Sequence, residues 1–391
     1  MVSRNLRSSP TWVLGIVSFV LASTSFVAST ATAEARASTC ADAWSVAPIV
    51  PMSGNGGVQA TAASAASDAW IVATGFSNVG FNFPIPEHWD GATWTVTPLP
   101  GGGVQWLYGI AAINPSDAWG VGYAYTGYYS GNYNYHYRVM ITHWDGASWS
   151  DSPSPGKLGP FNALNGIDAV SADDVWAVGY SKYGSLIEHW DGTSWSVVPS
   201  PNKGSAGSGL SAVSFSAPDE GWAVGSWTLP RQTPIGYPVS RPLLLHWDGT
   251  RWARVARPHG VKVLSSLVAI APDDVWAVGS AGSRTVAVHW NGVSWSIVPT
   301  PSPGVSATLT SVAGLGTADV WAVGSQEPHR GSALRTLIER WDGSSWREEP
   351  SPNVGPKDDA LVAVSAVPGL LLAGGYSEGR DAPLALERCL A

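Results

Sequence analysis

Between residues 164 and 198 short apolar runs alternate with polar turns at a spacing that suits strands. Leu164–Ser171 is apolar and rich in small residues, Val175–Tyr180 and Leu186–Trp190 are β-branched or aromatic runs, and Trp195–Val198 is a fourth. Asp173-Asp174 separates the first pair and Asp191-Gly192 helps link the last pair. Asp-Gly between such runs is a strong hairpin signal, because Gly takes positive φ without steric cost. Four antiparallel strands are predicted. No stretch downstream of the N-terminal leader shows a sustained helical period.

The phrase recurs along the chain as Asp-Val-Trp-Ala-Val-Gly, a spacer, His-Trp-Asp-Gly-x-x-Trp and a Pro-rich exit. Its first Trp falls at Trp70, Trp119, Trp176, Trp222, Trp276 and Trp321. A seventh copy, Leu370–Gly375, is degenerate, with Leu371 read in the Trp position. A period near fifty residues, with four strands in each, predicts an all-β, seven-bladed β-propeller of four-stranded antiparallel blades. The seventh copy lacks a fourth strand, and Trp44-Ser45-Val46-Ala47-Pro48 matches the fourth-strand phrase Trp195-Ser196-Val197-Val198-Pro199. The N-terminal strand is therefore expected to complete the C-terminal blade, which leaves no open ring edge. Cys389 aligns with Trp341, and Cys40 lies just ahead of Trp44, so a Cys40–Cys389 disulfide across that hairpin is expected.

An apolar strand ending in Gly, then a strand, a turn, a Trp and a Pro-rich exit resembles the kelch repeat. It is similar to the galactose-oxidase-type superfamily of propellers, especially its secreted bacterial members. Kelch blades carry paired glycines, and here Gly374-Gly375-Tyr376 keeps the pair while Gly179-Tyr180 and Gly279-Ser280 do not. The Asp-Gly-Thr-Ser-Trp turn also resembles the Asp-box of sialidase-like propellers, without that motif's spacing. The resemblance implies fold kinship rather than an enzyme family.

Composition narrows the setting. Arg4 and Arg7, the apolar run from Trp12 to Ala22 and Ala31-Thr32-Ala33 read as a signal peptide, residues 1–33, ahead of a propeller at 34–391. A retained anchor through Trp12–Ala28 is the competing reading. With cleavage no span remains, the location is extracellular and a disulfide is permitted. Charged residues are 13% of the chain and the net charge is −8, which argues against nucleic acid as a partner. A monomer is expected.

Strand parity sorts the turns. The strand one–two and three–four turns share one face, and these hold 14 of the 29 acidic residues, read as Asp turn chemistry with calcium as the sharper alternative. The opposite face takes the long, variable loops, where binding usually lies. Its longest in-blade insertion, Tyr123–Arg138, holds seven of the twelve Tyr among Gly, Ser and Asn, a composition suited to recognition. Candidate ligand residues are Tyr125, Tyr128, Tyr129, Tyr133 and Tyr135, joined by Trp227 and Tyr237 of a blade-four insertion. The plainer reading is that alternating Tyr133, Tyr135 and Tyr137 pack on a neighbouring blade.

Catalytic signals are sparse. His88, His143, His189, His246 and His289 recur once per blade, too dispersed for one metal, and are read as structural. The richest acid cluster on the long-loop face joins Glu327, Asp358, Asp359, Glu378 and Asp381 of blades six and seven. No nucleophile elbow, P-loop or dinucleotide fingerprint occurs, and neither a cofactor nor a metal is expected. Copper-radical chemistry through a Cys–Tyr thioether is excluded if both cysteines are bridged. The leading expectation is a non-enzymatic extracellular module that binds a glycan or surface protein. A polysaccharide hydrolase or lyase using the blade six–seven carboxylates, and a structural envelope protein, are the alternatives.

Overall fold

The computed structural model describes residues 42–50, 56–76, 82–101, 104–128, 135–155, 161–201, 207–229, 239–378 and 382–390. They form strands and turns. The chain enters on β1 (Ser45–Val46) and then builds blade one from β2 (Val58–Ala65), β3 (Asp68–Phe76), β4 (Asn82–Trp89) and β5 (Trp94–Val96). Blade two is β6 (Gln105–Asn114), β7 (Asp117–Tyr128), β8 (Tyr135–Trp144) and β9 (Trp149–Asp151). Blade three is β10 (Ala163–Ser171), β11 (Asp174–Ser181), β12 (Gly184–Trp190) and β13 (Trp195–Val197). Blade four is β14 (Ser208–Ala217), β15 (Glu220–Leu229), β16 (Val239–Trp247) and β17 (Trp252–Arg254). Blade five is β18 (Val263–Ala271), β19 (Asp274–Ala281), β20 (Arg284–Trp290) and β21 (Trp295–Val298). Blade six is β22 (Ser306–Gly316), β23 (Asp319–Glu327), β24 (Arg335–Trp341) and β25 (Trp346–Glu349). Blade seven is β26 (Asp359–Val367), β27 (Leu370–Ser377) and β28 (Ala382–Cys389), completed by β1.

The first strands of neighbouring blades touch all the way round, from β2 to β6 and on to β26 and back to β2. Small side chains let them approach and then bridge them. Ser214, Ser266 and Ser311 each accept the N–H of the next blade's inner strand, from Ala269, Val312 and Val364. Asp168 accepts Phe215 N–H at 2.7 Å in the same way. The glycine that ends the Trp-Ala-Val-Gly phrase is required by this crowding. A Cβ at Gly179 would sit 2.0 Å from the Ala163 carbonyl oxygen, beside the bulge that interrupts β10 between Leu164 and Gly166.

Between blades the core is aromatic. The second-strand Trp of one blade meets the third- and fourth-strand Trp of the next. Trp70 lies 5.3 and 5.2 Å from Trp144 and Trp149, and Trp276 lies 4.8 and 5.3 Å from Trp341 and Trp346. Edge-to-face contacts at these distances add to an already large apolar burial.

At the closure β1 pairs antiparallel with β28, Ser45 opposite Glu387, as the sequence predicts. Ala47 N–H reaches Ala385 O at 2.9 Å, as Val198 N–H reaches Ile187 O at 2.9 Å, so Trp44 stands where Trp195 stands. Trp44 accordingly packs on Trp321 of blade six.

Two positions in blade seven shift by one residue from the sequence reading. Gly375 pairs with Leu361 as Gly179 pairs with Leu164, which puts Leu372, not Leu371, at the place of Trp176. Leu372 faces blade one beside Trp94, and Leu371 faces blade six beside Trp321. Carried across the hairpin, the same shift puts Arg388, not Cys389, at the place of Trp341. Arg388 lies 4.9 Å over the Trp321 ring and pairs with Asp42 at 2.9 Å and Glu349 at 3.3 Å. The triplet Leu370-Leu371-Leu372 carries no aromatic landmark, so the sequence leaves its phase open, and a one-residue slip reverses the face of every side chain. Cys389 then falls at the turn position of Asp342, and Cys40 lies outside the described residues.

Candidate functional site: the long-loop face

The two faces of the ring differ in chemistry. On the short-turn face Asp90, Asp145, Asp191, Asp248 and Asp342 each accept the N–H groups two and three residues ahead at 2.8 to 3.0 Å. Hydrogen bonds from Thr193 and from backbone N–H groups hold the Asp191 carboxyl down at about 2. These side chains complete turns. Among the described residues no cluster of His, Cys, Asp or Glu could hold a metal ion.

The repeated histidines are structural parts of blades one to five. His189 lies 2.8 Å from Asp174 and stacks on Trp176, whose indole N–H donates to the same carboxylate at 2.8 Å. His88, His143, His246 and His289 make the corresponding contact with Asp68, Asp117, Glu220 and Asp274. In blade six Arg340 replaces His and pairs with Asp319 at 2.8 Å.

The long-loop face carries aromatics at the upper ends of blades two and three. On β6 Trp106 and Tyr108, the latter in the bulge between Leu107 and Gly109, both meet Tyr123. Trp106 stands opposite Tyr123 of β7 and stacks on it at 4.8 Å. Tyr123 also meets Tyr108 at 5.6 Å and Tyr137 of β8 at 4.7 Å. Tyr125 and Tyr137 are cross-strand partners with ring centroids 6.2 Å apart. Tyr137 reaches Phe161, on the link into blade three, at 6.2 Å. Phe161 is 42% exposed and holds φ at 70°, a left-handed conformation that a bulky residue rarely adopts. Tyr180, on β11, is 39% exposed, and burial, with Tyr108 and Tyr137 close by, pushes its ionisation up. Burial first, and then a hydrogen bond with Tyr108, push Tyr123 ionisation up, so its phenol stays neutral.

The candidate residues distribute unevenly. Tyr125 belongs to this cluster. Tyr128 and Tyr135 are register partners where β7 ends and β8 begins. Tyr129, Tyr133 and Tyr237 lie outside the described residues. Trp227 packs against the core between blades three and four. Trp106, Tyr108, Phe161 and Tyr180 were not among the candidates. Strand parity alone places Tyr180, just after the Gly that ends the blade-three phrase, at the long-loop end.

The acids of blades six and seven are engaged with backbone. Glu327 accepts Gly331 N–H, Asp358 accepts Leu334 N–H at 2.8 Å, and buried Asp359 accepts Val354 and Gly355 N–H at 2.8 and 3.2 Å. Glu378 is exposed, and with Asp358 it raises Tyr376 ionisation after burial has done so. Asp381 lies outside the described residues. A polar hollow of about 270 Å³ on blade six is lined by Gln326, Thr336, Glu348, Glu349, Pro350, Ser351 and Asn353.

Three further carboxyls are fully buried at one repeat position, the residue preceding the third-strand His or Arg: Glu87, Glu188 and Glu339. Burial raises each to about 7. One oxygen of Glu87 accepts Val50 N–H and one of Glu188 accepts the Ser154 hydroxyl, both at 2.8 Å. Glu339 accepts more weakly from Thr285 and Ser302 at 3.4 Å. The other oxygen of each is buried without a hydrogen-bond partner.

The fold and its sites define a seven-bladed β-propeller. No family model and no curated protein matches the chain. Solved structures do. A structure titled YCF48 bound to D1 peptide is 15% identical, with a TM-score of 0.53 over 90% of this chain and 98% of that one. The GH74 enzyme of Niastella koreensis is 11% identical, with a TM-score of 0.54 over 83% of this chain and 52% of that one. A PL25 ulvan lyase bound to a sulfated saccharide is 11% identical, with a TM-score of 0.53 over 86% and 94%. At these identities the likeness is one of fold.

Proposed function

We propose that this chain is a secreted, non-enzymatic, kelch-like recognition module. It binds a glycan or a surface protein through the long-loop face at blades two and three. The carrying observation is the division of labour between faces. Exposed and half-buried aromatics gather at the upper ends of β6, β7, β8 and β11, whereas the opposite face spends its Asp side chains on turns. Partly exposed aromatic clusters on a rigid scaffold supply contact area at low entropic cost. Among the described residues no helix is long and apolar enough to cross a membrane. The structural neighbours include proteins titled as peptide-bound and saccharide-bound, which is compatible with either ligand class.

The test is a glycan, cell-wall polysaccharide and surface-protein array. It is probed with the purified protein and with a variant in which Tyr125, Tyr128, Tyr133 and Tyr135 are Ala. Binding lost by a folded variant supports the reading. Binding that survives in full refutes the site.

A second reading is an enzyme acting on extracellular polysaccharide. It draws on Tyr376, placed near Asp358 and exposed Glu378 on the same face. Polysaccharide cleavage abolished by Glu378→Gln would support it.

A further inference from the structure

We propose that the aromatic cluster at the rim of blades two and three binds an uncharged saccharide chain. One sugar ring would lie against Phe161 and another against Tyr180. The proposal rests on the recognition reading above and names its ligand class.

The first consideration is charge. The cluster of Trp106, Tyr108, Tyr123, Tyr137, Phe161 and Tyr180 contains no ionised group, and burial keeps the phenols of Tyr123 and Tyr180 neutral. Among the described residues, Arg138 follows Tyr137 and Lys182 lies two residues beyond Tyr180, and each has a partner. Arg138 is 3.8 Å from Asp151, and Lys182 lies over the ring of Tyr183. The chain as a whole carries −8. A uronate or sulfate chain would thus find no ionised partner among these six rings and a net negative chain around them.

The second consideration is backbone. Peptides that add to a sheet need an edge strand with free N–H and C=O groups. Tyr123 lies on β7, hydrogen-bonded to β6 and β8, and Tyr180 lies on β11, hydrogen-bonded to β10 and β12. Both strands are committed on each side, so the cluster offers the partly exposed rings of Phe161 and Tyr180, with no ladder. A pyranose is built to match, with a C–H face for an aromatic plane and a hydroxyl rim for phenol oxygens.

The third is strain. Phe161 holds its ring partly exposed from a left-handed backbone conformation. Such outliers persist where the surroundings enforce them and gather at ligand sites. An ordinary linker position has no need of an exposed Phe there.

The experiment is titration calorimetry of the purified protein against cellohexaose, xylohexaose and mannohexaose, with polygalacturonate and a proline-rich decapeptide as contrasts. The expected result is binding of at least one neutral hexaose, weakened about tenfold by Tyr180→Ala or Phe161→Ala, as for the loss of one stacked ring. Tyr180→Trp should keep or improve it. Both sites are partly exposed, and circular dichroism checks that the variants fold. Binding of polygalacturonate in place of the hexaoses, lost in Tyr180→Ala, overturns the assignment of an uncharged chain, binding of the decapeptide overturns the saccharide assignment, and either leaves the recognition reading standing. Hexaose binding unchanged in both Ala variants overturns the site. No binding to any probe overturns the saccharide assignment, and the recognition reading falls with it if the wider array is also blank.

Discussion

Replacing Glu188 by Gln should stabilise the protein at pH 8 and leave it nearly unchanged at pH 4. The carboxyl is fully buried, one oxygen accepts Ser154 and the other has no partner. Burial raises its pKa from 4.5 to about 7. Between those values the folded state holds a proton that the unfolded chain has lost. The unfolding free energy therefore falls as pH rises through this window. The contribution is fully present below 4.5 and is lost as pH passes 7. A shift of this size corresponds to about 3 kcal/mol per site, at 1.36 kcal/mol per unit. Gln has the shape of the protonated acid and cannot ionise, so it removes the loss.

The assay is urea unfolding followed by Trp fluorescence at pH 4, 5, 6 and 8, on wild type, Glu188→Gln and the triple variant with Glu87→Gln and Glu339→Gln. Wild type should lose stability from pH 5 to 8, opposite to the usual behaviour of paired carboxylates. The single variant should flatten part of that slope and the triple variant most of it. The exposed turn carboxyls work in the other direction. Asp191, Asp248 and Asp342 sit at about 2, so their contribution is lost as pH falls below 4 toward that value. Maximum stability is thus expected between about 4 and 5. Wild-type stability that rises from pH 5 to 8, or a Gln variant destabilised equally at every pH, would refute the reasoning.

Other expectations concern closure and core. Arg388→Ala removes a stack on Trp321 and two ion pairs from a side chain only 11% exposed, and should cost about 2–4 kcal/mol in unfolding measurements. Arg388→Trp, which restores the residue that other blades use, should recover most of it. Cys40 and Cys389 both align with the Asp that opens the three–four turn in other blades, so a bridge there would stand in for the missing chain connection. Intact-mass analysis of oxidised protein should find no free thiol, and Cys389→Ser should lower stability by up to roughly 5–6 kcal/mol in the chain-entropy model. Trp222→Ala, at a fully buried site between blades four and five, should cost about 3–5 kcal/mol. Gly324→Ala should be nearly as damaging as a core deletion, since its Cβ would sit 1.9 Å from the Thr308 carbonyl oxygen.

The ring was legible in the sequence because each blade repeats one physical unit. Trp176, His189 and Asp174 make a stack and a hydrogen bond within the blade, and Trp190 and Trp195 carry packing to the blade before. Any chain that repeats those residues at that spacing repeats the contacts, so pattern and structure coincide. Blade seven escaped by one residue for the same reason. With Leu370, Leu371 and Leu372 in place of Asp, Val and Trp, the landmarks that set the phase are gone, and it is set by Gly375 against Leu361 instead. The aromatic cluster was half legible. Tyr123, Tyr125 and Tyr137 announce themselves by density in one insertion, but Trp106, Phe161 and Tyr180 are single residues on three other segments. They converge because blade packing brings the inner strand of one blade and the link into the next toward the same rim. Tyr180 follows a Gly that the inner strand requires for close approach, so its place at the rim is set by backbone sterics. In a propeller, then, the residues that build the ring repeat, and those that act together at a site need share only an end of their strands. A search for such sites should begin from strand parity, collecting every large side chain at the long-loop ends before asking which loop is longest.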